Sequence, residues 1–288
     1  MRIFNWMKRK SPGEIILYSV VSLLFMVVAL SYIYLLVWAF IAGCKTHLEV
    51  VMNPFALPKE WHFDHYIEVF KALNVNGNNF LDMFFNSVWY TVASTLLHQF
   101  CTMTFAYTCT KYDFPGKNII YPIVLVVLTM PIYGNSGAVY ELYLKLGFID
   151  SYALVLNSLT GFSIYYLYYR AFFQNLSWTY AEAAMVDGAN DFQIYFKVML
   201  PQTKAMFGAL FLMQWIGAWN SYESELIYLP NLPTLPVGIY QFNIEMIYSA
   251  RLDILFAACV IITLPALILF IIFNKTITTN VSLGGIKG

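Results

Sequence analysis

From Ile15 to Ile41 the chain runs 27 residues without a single charged side chain. Wound as an α-helix at 1.5 Å per residue, that stretch would reach about 40 Å, beyond the roughly 30 Å hydrocarbon core of a bilayer. A soluble fold could hide such a segment only beneath a charged shell. This chain has little to make one from, because 11% of its 288 residues are charged and 60% are hydrophobic, where soluble domains carry about 25% charge. With a mean hydropathy of +0.63, the expectation is an all-α, polytopic membrane protein.

Five further apolar stretches extend the pattern: Phe84–Thr108, Ile119–Tyr140, Tyr152–Phe173, Met206–Leu226 and Ile254–Phe273. Six transmembrane helices are therefore expected. The third is the weakest, interrupted by Pro131, Gly134, Asn135 and Gly137, and Pro265 sits within the sixth. Such breaks are tolerated where neighbouring helices or a cavity satisfy the freed backbone groups.

An even number of crossings puts both termini on one side. With both in the cytoplasm, Arg2, Lys8, Arg9, Lys10, Lys111, Lys117, Arg170, Lys197, Lys204, Lys275 and Lys287 lie inside, and Lys45, Lys59, Lys71, Lys145 and Arg251 outside. That excess of inner basic residues follows the positive-inside rule. The organisation read from this is a cytoplasmic N-terminus (1–14), a six-helix transmembrane domain (15–273) with a cytoplasmic loop at 174–203, and a cytoplasmic tail (274–288). The loop from Ala42 to Met83 then faces outward. Ile41-Ala42-Gly43-Cys44 resembles a lipoprotein cleavage box, but a cleavable signal has an apolar core of only about 7–15 residues, so the first helix is expected to be retained. Cys44, Cys101, Cys109 and Cys259 show no metal or disulfide spacing and read as small packing residues. With zero net charge and no basic stripe, nothing points to a nucleic-acid partner.

The inner loop holds "TYAEAAMVDGANDFQIYFKVMLP", residues 179–201, an unusual concentration of acids and small residues in an apolar chain. Thr179 and Glu182 have capping-box spacing. Gly188 suits the left-handed residue that ends a helix, and Asn190 and Gln193 offer a second cap before Pro201. The pattern predicts a helix, a tight turn and a second helix. The first would carry a small-residue surface at Ala181, Ala183 and Ala184, edged by Met185 and Val186. Two readings fit: a rigid helix docking into a groove of another protein, or an amphipathic helix lying on the membrane surface.

Glu182-Ala183-Ala184, then Gly188, then Val198-Met199-Leu200-Pro201 resembles the EAA loop of the membrane subunits of binding-protein-dependent ABC importers. Valine stands at 198 where isoleucine is usual, and Asp187 and Ala189 flank the glycine as in the carbohydrate branch. "GFIDSYALVL" (147–156), "WNSYE" (219–223) and the closing "GGIKG" (284–288) also resemble the maltose-type permeases, so the likeness covers nearly the whole chain. The resemblance implies a non-catalytic permease in the bacterial cytoplasmic membrane. It would be joined by a second homologous permease, two ATP-binding cassette subunits and an extracellular substrate-binding protein, and would import a sugar or oligosaccharide. It also implies that Glu182, Ala183, Ala184, Asp187, Gly188, Ala189, Leu200 and Pro201 form the helix that couples to the ATPase. The chain itself needs no cofactor, since ATP and Mg would be bound by the partner subunits, and it has no Walker-type phosphate loop. The alternative is a membrane receptor or channel working without ATPases.

No nucleophile, base or metal constellation suggests an enzyme. His62-Phe63-Asp64-His65 lacks a clear third ligand and reads as surface polarity, so no metal is expected. His98 and Gln99, inside the second apolar stretch, read as helix–helix hydrogen-bonding groups in preference to pathway lining. Gln214, Trp215, Trp219, Asn220, Tyr222 and Glu223 mix aromatic faces with polar groups. They suit either a sugar pathway or an interfacial aromatic belt. After them, Pro230, Pro233 and Pro236 are expected to stiffen the outer loop and exclude a regular helix. The resemblance implies that Asn231, Leu232, Pro233 and Thr234 reach into the binding protein, and that the tail from Asn274 enters the ATPase dimer interface.

Overall fold

The computed structural model describes residues 11–130, 134, 136–249 and 251–280. Arg2, Lys8, Arg9, Lys10, Lys287, Pro131, Asn135 and residues 284–288 lie outside these. The fold is mostly helical and divides into two compact units. The first draws its described residues from 1–72 and 243–261, the second from 73–242 and 262–288.

In the first unit, α1 (Pro12–Gly43) starts at a capping box in which the Glu14 N–H donates to Ser11 Oγ while Glu14 Oε2 accepts from the Ser11 N–H. The apolar run of α1 has no buried stretch at all, as expected of a helix whose surroundings are lipid or another chain. Only its end is buried. There Lys45 donates to the carbonyls of Asn53 (2.9 Å) and Pro54 (3.0 Å), and Trp38 Nε1 to that of Pro54 (2.8 Å). The short helices α2 (His47–Met52) and α3 (His65–Ala72) follow. Arg251 forks onto Glu68 with two 2.9 Å bonds and also reaches Asp253. Its hydrogen bonds hold the Glu68 carboxyl below the usual range.

At Gly43 a Cβ would lie 2.9 Å from the backbone nitrogen of Ala257 and 2.9 Å from Tyr66 Oη. The backbones meet where only glycine fits. Gly43→Leu is therefore expected to cost about 1–3 kcal/mol by overpacking. It should lower the thermal midpoint of the detergent-solubilised protein, and an unchanged midpoint would refute this close approach.

In the second unit, a hairpin of β1 (Asn74–Val75) and β2 (Asn78–Asn79) turns at Asn76 and Gly77, both at positive φ, the type I′ preference. The long helix α4 (Phe80–Lys111) is capped by Asn79 and Asp82. Its buried face carries Asn86, Ser87, Thr91, Ser94, Thr95, Gln99 and Thr102 at helical spacing. This polar stripe faces inward together with Met83, Tyr90, Met103, Ala106 and Tyr107, while Leu81, Phe85, Leu96 and Phe100 face outward, as suits a helix in lipid.

Among the described residues only α1 and Leu252–Phe273, within the last helix, are long and apolar enough to cross a membrane by length and composition. The six expected spans are thus not six uninterrupted apolar helices. The second span is one helix, but its polar stripe lowers its hydropathy. The third is divided into α5 (Lys117–Thr129) and α6 (Ser136–Leu146). The fourth becomes a 3₁₀ turn (Tyr152–Ser158) followed by α7 (Ile164–Asn175). Between these, Gly161 lies so close to the Phe105 ring that a Cβ would approach it to 2.5 Å.

The 174–203 loop then forms α8 (Thr179–Val186), α9 (Asp191–Gln193), a π-helical turn (Ile194–Met199) and α10 (Leu200–Gln202). The fifth span stops at Asn220 in α11 (Lys204–Asn220) and resumes as α12 (Glu223–Tyr228) after Ser221 adopts an extended conformation. Next comes α13 (Leu235–Ser249), which corrects the expectation that the prolines exclude a helix. Pro236 sits in its first turn, where a missing N–H costs nothing. The last helix, α14 (Leu252–Asn280), carries Pro265 inside it.

Candidate functional site

The 179–201 segment folds as helix, turn and helix, but its first cap differs from expectation. Thr179 is already the first helical residue, after Trp178, and no side chain caps the helix. Instead the Thr179 N–H donates to Ser177 Oγ at 3.2 Å. This serine turn uses the threonine's own N–H and places the threonine one position late for a capping box. The second cap is as expected, with Asn190 and Gln193 bonding each other's N–H groups at 2.9 and 3.0 Å.

Between the helices Gly188 has φ +83°. Its N–H donates to Met185 O at 3.0 Å and the Ala189 N–H to Ala184 O at 2.9 Å. This pair of bonds is the Schellman arrangement that closes a helix at a left-handed residue. The π turn was not expected. Pro201 supplies its cause, because the proline ring would collide with the carbonyl four residues back and has no N–H to give it. A wider turn stands just before Pro201, in which the Leu200 N–H reaches back to Tyr195 O.

The small-residue surface also divides. Ala181 is fully buried and Ala184 half-buried, in a core with Tyr107, Tyr169, Phe173, Ile194, Tyr195 and Met199. This core pins the segment to α4 and α7. Lys111 Nζ donates to Leu176 O (2.6 Å) and Tyr112 Oη to Asp191 (3.1 Å), adding polar ties at its edge. The outward side presents Glu182, Ala183, Asp187 and Gly188. Around them stand four apolar side chains without a cover: Tyr180 (56% exposed), Met185 (43%), Val186 (88%) and Phe192 (76%). Ala189, Leu200 and Pro201 are half-buried.

The candidate pathway residues do not share one surface. Trp215 and Trp219 are buried and stacked on each other, centroids 4.9 Å apart, and Trp219 Nε1 donates to Ile262 O at 3.1 Å. Gln214 accepts from Gln99 Nε2 at 2.7 Å. Gln99 in turn accepts from Tyr169 Oη at 2.7 Å and donates to Leu210 O, so one buried amide joins α4, α7 and α11. The helix–helix role expected of Gln99 is the one the structure displays. Asn220 and Glu223 are exposed, and Tyr222 stacks on Tyr240 at 4.7 Å. Glu225, in the same mixed stretch, is buried, with its Oε2 accepting from Ser221 (2.8 Å) and Ser224 (3.0 Å). The Ser221 bond spans the break in the fifth segment.

In the candidate outer loop, Asn231 is exposed but doubly hydrogen-bonded to the Asp150 carboxylate. Leu232 is half-buried, and Pro233 and Thr234 are buried. Asn86 Nδ2 donates to Pro233 O at 3.0 Å. His62, Asp64 and His65 each hold one ligand-capable atom within 4.8 Å of the others.

Residues 103–282 match the family described as "Binding-protein-dependent transport system inner membrane component". The chain is 29% identical over 287 residues to the arabinooligosaccharides transport system permease protein AraQ of Bacillus subtilis, covering 98% of this chain and all of that protein. It is 28% identical over 255 residues to the diacetylchitobiose uptake system permease protein NgcG of Streptomyces coelicolor, covering 86% of this chain and 82% of that one. In fold it is similar to a chain of a bacterial ABC transporter involved in the import of the acidic polysaccharide alginate, with a TM-score of 0.74 and 22% identity, over 92% of this chain and 98% of that one.

Proposed function

The chain belongs to the family of binding-protein-dependent transport system inner membrane components, and from that premise we propose that it forms half of a sugar-conducting pathway and takes its drive from partner ATPases through residues 179–201. As a member of that family it is a non-catalytic membrane transport subunit. Oligosaccharides are the substrate class to test first, since the similar permeases are named for arabinooligosaccharides and diacetylchitobiose. We assign it six crossings with both termini cytoplasmic, a second homologous permease, two ATP-binding cassette subunits and an extracellular binding protein.

The observation that carries the coupling reading is the outward face of 179–201. A membrane-surface helix can roll to bury its apolar side in lipid, but this one is locked by Ala181, Ile194, Tyr195 and Met199 in the core. Its exposed Val186 and Phe192 are thus held out at the turn, as anchors for a groove. ATP binding and hydrolysis would move the groove, and coupling requires that it hold this element differently in the two states.

The test is purification in mild detergent followed by mass spectrometry. An ATPase and a second permease are expected in the same peak, and Val186→Asp should release the ATPase while leaving the permease pair intact. A chain that purifies alone after crosslinking in the membrane would overturn the reading. For the outer loop, the Asp150–Asn231 tie would hold 231–234 in shape toward the binding protein. Asn231→Ala is expected to slow uptake several-fold with assembly unchanged, and wild-type uptake would remove that role.

A further inference from the structure

His65 at the start of α3 is 8% exposed, and its Nδ1 lies 3.1 Å from the Gly43 carbonyl. A carbonyl can only accept, so Nδ1 carries the proton and the lone pair of the neutral ring sits on Nε2. That nitrogen faces Asp253 Oδ2 at 3.5 Å. Beside it, His62 Nδ1 faces Asp64 Oδ1 at 3.7 Å, and the two imidazole rings stack 5.1 Å apart. Both nitrogen–oxygen separations exceed the hydrogen-bonding range of about 2.7–3.2 Å. The His62–Asp64 separation lies near the roughly 3.3 Å edge of a tetrahedron with N and O ligands at about 2.0–2.1 Å, and His65 offers a nitrogen within 4.8 Å of both. A metal-binding histidine usually donates its other ring N–H to a carbonyl or carboxylate, as His65 does to Gly43 O.

We propose that His62, Asp64 and His65, whose ligand atoms lie within 4.8 Å of one another, hold a divalent transition-metal ion of the zinc type. Two imidazoles and a carboxylate favour zinc over calcium or magnesium, which prefer oxygen-only sets. Arg251 holds the Asp253 carboxylate, which stays outside the ligand set, and water would complete the coordination.

The test uses the untagged full chain with its co-purifying subunits, stripped with chelator and titrated with zinc chloride by calorimetry. One zinc per chain is expected, with a higher melting temperature on binding. His62→Ala and Asp64→Asn, both at accessible positions, should weaken affinity by roughly a hundredfold and abolish the zinc-dependent shift, while the zinc-free melting temperature stays at the wild-type value. Absence of saturable binding, or zinc binding of the same affinity and stoichiometry in both variants, would overturn the site.

Discussion

Gly188→Val is expected to cut substrate uptake in proteoliposomes by at least about tenfold, while the assembled complex still hydrolyses ATP. A Cβ at this position meets nothing within 4 Å, so the effect does not come from crowding inside the chain. It comes from φ +83°, where a non-glycine residue pays about 1–2 kcal/mol and a β-branched one most. That strain is comparable to the two hydrogen bonds that close α8 at Met185 and Ala184, each worth about 0.5–1.5 kcal/mol. The turn is then free to open, and the angle between α8 and α9, through which a push on Val186 and Phe192 is transmitted, is no longer fixed. Gly188→Asn separates this cause from loss of a contact with the ATPase. Asparagine tolerates the left-handed region, so it should recover much of the transport although it is larger than alanine. If Gly188→Asn is as inactive as Gly188→Val, glycine serves close approach to a partner, and the strain account fails.

The second large effect is on stability. Gln99→Leu keeps the volume but removes an amide that accepts from Tyr169 Oη and donates to Gln214 and Leu210 O. Interhelical hydrogen bonds inside membranes average only about 0.6 kcal/mol each. Here, however, Gln99 and Tyr169 are both fully buried, and burying an orphaned polar group costs about 1–3 kcal/mol. The sum over three bonds and one orphaned group is about 3–5 kcal/mol, visible as an earlier midpoint in denaturant titration followed by tryptophan fluorescence. Tyr169→Phe removes one of the same bonds. The double variant Gln99→Leu/Tyr169→Phe should therefore lose less than the two single losses added. Strict additivity would mean that the three helices are not joined through this amide.

The 179–201 element was legible because it is local. A glycine where the chain must turn left-handed, and an Asn and a Gln three apart, act over distances of one helical turn, and both behave as the spacing implied. The Thr179 cap was misread because Ser177, two residues earlier, competes for the same N–H. Sequence spacing does not rank competing caps. The Ala181–Ala183–Ala184 surface was misread for a related reason: small residues suit both a partner's groove and the chain's own core. Only the positions of Tyr107 and Tyr195 decide that Ala181 turns inward. Trp215 and Trp219 serve lining and packing equally well as residue types, and their burial depends on helices far away in the sequence.

By itself, then, the sequence determined the membrane class, the family likeness and the helix–turn–helix at 179–201. Hydropathy and backbone preference are properties of residues and their near neighbours, and need no knowledge of the rest of the chain. Tertiary structure alone decided how the fourth and fifth apolar stretches break, because a broken helix is stable only when distant groups satisfy the backbone it exposes. It alone joined Gln99 to Tyr169 and Gln214, 70 and 115 residues away. It alone brought Asp253 beside His65, a pairing that no spacing rule could foresee.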